Sequence, residues 1–138
     1  MAQNHKAIYT LVPKINWGAA AITAANTAKD GTGTVDTIFT ADATNGSFVQ
    51  KIKFRPAGAN VQTVARIFIN NGSTNATAAN NILYDEVTLP ATTLSETGAI
   101  NGPELYLNIV LPAGYKINVT LGTAVAAGYY ASIVGGDY

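Results

Sequence analysis

The side chains of this 138-residue chain that could do chemistry are few and scattered. Nucleophilic catalysis needs an activated serine, threonine or cysteine beside a held base. The one histidine, His5, sits near the start next to Lys6, where nothing in the sequence would hold a base in place. Glycoside hydrolysis needs two carboxylates flanking one bond. Asp85 and Glu86 are adjacent, and neighbours on a strand face opposite sides of its sheet. Asp30, Asp36, Asp42, Glu96, Glu104 and Asp137 are spread over turn and strand-edge sequence. The run Asp30-Gly31-Thr32-Gly33 lacks the further carboxylates of a calcium loop. No phosphate-cradling glycine motif is present, and the absence of cysteine excludes disulfides and thiolate metal sites. A hard cation held by loop oxygens is the one metal chemistry left open. No catalytic residue, cofactor or metal ligand is expected.

Two groups of residues read better as contact surface. Lys51, Lys53 and Arg55 alternate along one side of a strand, about 7 Å apart. They make either a solvated strand face or a docking face for an acidic protein. Nucleic acid is not expected, because phosphate binding leaves a basic footprint on the whole domain and this chain is neutral. The second group is Ile8, Tyr9, Leu11, Val12, Ile15 and Trp17, in residues 1–18, where Pro13 and scattered polar residues exclude a regular helix or a central strand. Either this is a frayed tail tucking a few side chains into the core, or an extended arm reaching a neighbouring subunit. The exposed tyrosines of a sugar-binding platform would come from Tyr84, Tyr106, Tyr115, Tyr129 and Tyr130. Most tyrosines in a sandwich instead pack on a face and bond at its rim.

The elements that must position these residues are strands. Charged residues are 12% of the chain, well below the roughly 25% of an ordinary soluble domain, and eight basic residues balance eight acidic ones. A charge-poor, neutral surface promotes association, so much of it is expected to lie against other protein. The start lacks a signal-peptide pattern and no apolar run is long enough to span a membrane, so a cytoplasmic origin and no membrane partner are expected. Residues 103–121 alternate most cleanly: Leu105, Leu107, Ile109 and Leu111 face one way, then Tyr115, Ile117, Val119 and Leu121 after Pro112-Ala113-Gly114. That spacing predicts a β-hairpin with one buried face. Further strands are expected over residues 19–28, 35–41, 47–55, 61–70, 82–89 and 127–134. Along 47–55, Phe48, Gln50, Ile52 and Phe54 would share one face, with Val49 joining Lys51, Lys53 and Arg55 on the other. The loop 70–81, NNGSTNATAANN, is expected to be exposed and mobile, and Gly135-Gly136 to belong to the terminus. The expectation is a single all-β domain over residues 19–138, an antiparallel β-sandwich. Strand count and long mid-chain loops favour a jelly roll of about eight strands, preceded by the arm.

Several stretches resemble the small virion proteins that decorate or cement the capsids of tailed bacteriophages. They are TAANTAKDGTGTVDTIFTA at residues 23–41, LPAGY at 111–115 and GYYASIVGGDY at 128–138, within a likeness spanning residues 17–138. These motifs are turns and core positions, and no residue-level site transfers. The resemblance implies a compact β-fold that sits on hexamer centres or at local symmetry positions of a shell. It implies a homo-oligomer, with a trimer favoured, an arm that clasps capsid or a sister subunit, and the major capsid protein as partner. The expected location is the capsid exterior of a virion assembled in a bacterial host, and the expected function is non-enzymatic stabilisation of that shell. A receptor- or carbohydrate-binding head of a tail fibre or baseplate is the alternative.

Overall fold

A computed structural model describes residues 10–138. Among these residues are eight strands: β1 (Val12–Trp17), β2 (Asp36–Thr40), β3 (Ser47–Pro56), β4 (Thr63–Asn70), β5 (Asn81–Leu89), β6 (Glu104–Leu111), β7 (Lys116–Leu121) and β8 (Tyr129–Asp137). They form two four-stranded antiparallel sheets, ordered β1-β8-β3-β6 and β2-β7-β4-β5. Their inner faces enclose one apolar core, which makes the fold an all-β sandwich.

The expected hairpin over residues 103–121 is two strands of different sheets. Its first half, β6, pairs with β3, and its second half, β7, pairs with β2 and β4. Pro112-Ala113-Gly114 carries the chain across the sandwich. There, Gly114 N–H donates to the Asp42 carbonyl at 3.1 Å and Ala41 N–H to the Tyr115 carbonyl at 2.8 Å. Alternation places the same side chains inward in either arrangement, so it could not distinguish them. The hairpin within a sheet is β4–β5, joined through the asparagine-rich loop.

Bulges account for the errors of phase. In β3 the register shifts between Val49 and Lys51 against both of its neighbours. Ser47 and Val49 therefore point inward before the shift, and Ile52 and Phe54 after it. Phe48 is turned to the opposite side, and Val49 belongs to the core rather than to the basic face. An extra residue in a strand reverses the alternation beyond it. In β4, Phe68 is fully buried yet lies outside the central cluster, so the end of this strand is covered on both sides.

Residues 19–28 do not form the strand expected of them. Ile22 bridges Tyr129 in the first sheet and Ala25 bridges Leu121 in the second, so the segment stitches the two sheets together at one end. The sandwich begins by Val12, inside the segment read as an arm, and it ends later than the spacing implied, because Gly135 and Gly136 lie within β8. A Cβ on Gly135 would overlap the Phe48 carbonyl oxygen on bulged β3, so the close backbone approach demands glycine there. The loop 70–81 is exposed as expected but tied by its own amides. Asn75 Nδ2 donates to the Gly31 and Gly33 carbonyls at 3.2 and 2.8 Å, and Asn81 Nδ2 to the Asp30 and Asn75 carbonyls at 3.1 and 2.9 Å.

Asn60 is the buried fastener of the opposite crossing. Its Oδ1 accepts from Ala127 N–H at 3.0 Å and Gly128 N–H at 2.8 Å, and its Nδ2 donates to the Gly128 carbonyl at 3.0 Å. Asn60→Ala leaves the Ala127 and Gly128 N–H groups without partners, while the Gly128 carbonyl keeps its bond from Ala57 N–H, and should cost about 2–4 kcal/mol in urea unfolding; a loss below about 0.5 kcal/mol would contradict the role. Asp36 behaves oppositely. Burial alone pushes its carboxyl above the usual range, so the native state holds that proton more tightly than the unfolded chain does. Its contribution to stability therefore worsens as pH rises from the ordinary carboxylate pKa through the raised native one. Asp36→Asn should raise the melting temperature at neutral pH, with the gain fading on acidification; an unchanged melting temperature at neutral pH would refute the desolvation.

Candidate docking surface

The registers of the first sheet bring together residues that the sequence placed in two separate groups. Side chains directly opposite in antiparallel strands share a face. Across β1, β8, β3 and β6, one row reads Trp17, Ser132, Lys53, Glu104. The next reads Ile15, Val134, Lys51, Tyr106, and a third Pro13, Gly136, Phe48, Val110. Arg55 lies opposite Tyr130 at the other end. The neighbouring inward row is Asn16, Ile133, Ile52 and Leu105, so the first set faces away from the core. Trp17 is 68% exposed, Ile15 62%, Val110 62%, Tyr106 60% and Tyr130 54%, which makes this outer face unusually apolar for a solvated sheet.

The basic stripe is held flat within that face. Glu104 Oε1 lies 3.2 Å from Lys51 Nζ and 3.6 Å from Lys53 Nζ, and Lys51 Nζ lies 5.6 Å from the Tyr106 ring centre. Arg55 Nη1 donates to the Ile100 carbonyl. A hydrogen bond from Lys51, reinforced by the charges of both lysines, holds the Glu104 carboxyl below the usual range. Exposed pairs of this kind contribute little stability. Their effect is to lay lysine stems along the sheet and to spend the carboxylate locally. Lys51, Lys53 and Arg55 thus stand on one face, as the alternation implied, but two of them share a counter-charge.

The other predicted contact residues divide. Ile8 and Tyr9 lie outside the described residues. Leu11 and Val12 are exposed at the start of β1. Ile15 and Trp17 are exposed, but on a strand paired with β8 of the same chain rather than on a segment reaching away from it. Pro13 excluded a central strand and β1 is an edge strand, so the restriction is obeyed. Ile15, Asn16 and Trp17 also line a shallow open depression of about 210 Å³. On the inner side, Lys14 Nζ reaches the Thr40 carbonyl at 2.9 Å and Asp137 at 3.4 Å, which ties β1 to both sheets.

Of the tyrosines, Tyr129 is fully buried and donates its hydroxyl to the Pro90 carbonyl at 2.7 Å, and Tyr115 packs against the core. Tyr84 is exposed on β5 of the other sheet, so among the described tyrosines Tyr106 and Tyr130 join Trp17. The contribution of Tyr106, Val110 and Tyr130 was missed because strand order, which puts them beside the lysines, is not carried by periodicity. Among the described residues, no three His, Asp or Glu side chains gather closely enough to hold a metal ion. Glu86 accepts from Arg66 Nε at 2.8 Å, while its neighbour Asp85 accepts from the Glu86 backbone N–H. Among the described residues, no helix is long and apolar enough to cross a membrane. Compared with family models, curated proteins and solved structures, the chain matches none of them.

Glu104→Gln should leave the melting temperature near that of the parent chain while strengthening retention on a cation exchanger, since Lys51 and Lys53 lose their shared partner. A sharply lowered melting temperature would mean that the ion pairs hold β6 in place.

Proposed function

We propose that this chain is a structural subunit of a bacteriophage particle, docking on the outside of the capsid and stabilising it through contacts with the major capsid protein. The observation that carries this reading is the outer face of the first sheet. It presents Trp17, Ile15, Tyr106, Val110 and Tyr130 together, with its charges largely paired among themselves. A flat apolar face framed by paired charge suits burial against another protein. The low overall charge of the chain supports the same reading.

The fold is read more finely as a jelly roll. The pairs β1–β8, β2–β7, β3–β6 and β4–β5 are nested, as if one long antiparallel ribbon had been wrapped into a sandwich. All consecutive strands except β4 and β5 lie in opposite sheets, as that wrapping requires. The mechanism would be multivalent docking across capsomer junctions, where weak contacts on one oligomer add into avidity. Stabilisation follows by mass action, because such a subunit binds assembled shell and not free capsid protein.

The carbohydrate- or receptor-binding head is the second reading, favoured by the exposure of Trp17, Tyr106 and Tyr130 on a single face. Co-sedimentation with purified shells of the source phage, with a glycan array in parallel, separates the two. The docking reading expects the chain to pellet with shells and the Trp17→Ala/Tyr106→Ala variant to bind at least about tenfold more weakly. A chain that stays in the supernatant refutes it, and glycan binding lost in the same variant would establish the second.

A further inference from the structure

We infer that the outer edge of β1 pairs with the same edge of a second copy, joining two first sheets into one across a two-fold axis. This goes beyond the docking reading and does not rest on it.

The direction of the β1 backbone follows from a bridge next to it. Ile22 N–H donates to the Tyr129 carbonyl at 2.9 Å and Tyr129 N–H to the Ile22 carbonyl at 3.1 Å. Both backbone groups of Tyr129 therefore point to the β1 side of β8. Alternation gives Ile133, Gly135 and Asp137 the same direction. The bond from Leu11 N–H to the Asp137 carbonyl, 2.8 Å, agrees. The partners of those residues are Asn16, Lys14 and Val12, whose backbone groups are thus used within the sheet. Pro13, Ile15 and Trp17 send theirs outward. Among the described residues, nothing pairs with them.

An open edge invites another strand, and proteins that stay monomeric blunt theirs with charge, bulges or short length. The other three edges are blunted. In β6, a register shift accompanies Asn108 at φ 49°, and Glu104 stands at its start. The edge strand β2 has five residues and a shift between Thr37 and Phe39. In β5, Asp85 and Glu86 occupy the middle. By contrast, β1 pairs along all six residues without a shift, and its outward-bonding residues carry no charge. Pro13 guards only one end, and the charge of Lys14 is turned inward to the Thr40 carbonyl and the Asp137 carboxylate rather than presented along the open edge.

The occupant follows from self-complementarity. Two antiparallel copies with Ile15 of one opposite Trp17 of the other exchange four backbone hydrogen bonds, using each outward N–H and carbonyl of both residues. Pro13 then falls beyond the bonded pairs and its missing N–H is not required. Centring the pairing on Ile15 instead sets Pro13 against Trp17 and leaves the Trp17 carbonyl without a donor. The favoured register also places the Ile15 side chain beside the indole of the other copy, twice over, a cross-strand pair that stabilises sheets. Charge points the same way. A strongly acidic or basic partner strand would find no counter-charge on this edge, whereas two neutral copies meet without repulsion. Such an isologous contact closes at two subunits, in place of the trimer that the family resemblance implies.

Light scattering and sedimentation of the full chain over a range of concentrations should give twice the 14.3 kDa chain mass. Ile15→Pro removes an N–H that points outward and none that bonds β8, so it should yield a monomer with the circular dichroism and melting of the parent. Asn16 would face its own copy across the axis at a non-hydrogen-bonded position, with Cα atoms about 4.5 Å apart, within disulfide reach. In a chain without cysteine, Asn16→Cys should therefore form a linked dimer on mild oxidation, whereas Thr88→Cys on the β5 edge should not. A parent chain that is monomeric up to its solubility limit overturns the proposal. So does a dimer indifferent to Ile15→Pro whose Asn16→Cys form does not link, or an edge that captures only a different protein.

Discussion

The whole sandwich depends on the insertion of β8 between β1 and β3. Its backbone bonds to both, so the first sheet has no centre until the end of the chain is in place. The second sheet repeats the constraint, because β7 lies between β2 and β4. Strands β8 and β7 come late in the sequence, and the strands each of them joins, β1 with β3 and β2 with β4, come early. The cost is loop-closure entropy over most of the chain, which makes formation slow and cooperative. Packing follows from the same arrangement. Tyr129, Ala131 and Ile133 of β8 meet Ile117, Val119 and Leu121 of β7 in one core, and Gly135 lets β8 approach the bulged part of β3.

What could be read from the sequence was whatever period two carries: the inward sets of β6 and β7, and the segregation of Lys51, Lys53 and Arg55. Non-local information was not legible. Pro112-Ala113-Gly114 looks the same whether the chain turns within a sheet or crosses to the other one. The extra residue near Gln50 leaves no mark in composition, yet it reverses Phe48 and Val49. The small residues around Ile22 suggested a strand, but a segment that must cross between sheets can pair only briefly with each. The loop 70–81 has no large apolar anchor, which suggests a loose segment, whereas its asparagine amides bind carbonyls of the loop itself and of Gly31 and Gly33. The contact surface was legible as two fragments, the apolar residues of β1 and the basic ones of β3. Their union depended on strand order.

That union gives the molecule two distinct surfaces with a shared margin. The broad outer face of the first sheet offers aromatic and aliphatic area with charges neutralised close at hand. The narrow edge of β1 offers backbone hydrogen bonds and almost no charge. Ile15 and Trp17 take part in both, through their side chains and their main chain respectively. In the proposed assembly, pairing at the edge would double the length of the apolar face and present it as one surface, which is how weak contacts gain from multivalency. The ion pairs of Lys51 and Lys53 with Glu104 keep that face from being a strong field of one sign, so binding there would be governed by shape and apolar burial more than by charge.

The central claim is that this chain works by being covered by other protein. If the proposed function holds, imaging a phage particle that carries this chain, at side-chain resolution, tests it most directly. The account predicts density for this sandwich on the outer shell, with Trp17, Tyr106 and Tyr130 buried against capsid protein. Density absent from the shell, or present with that face open to solvent, would contradict it.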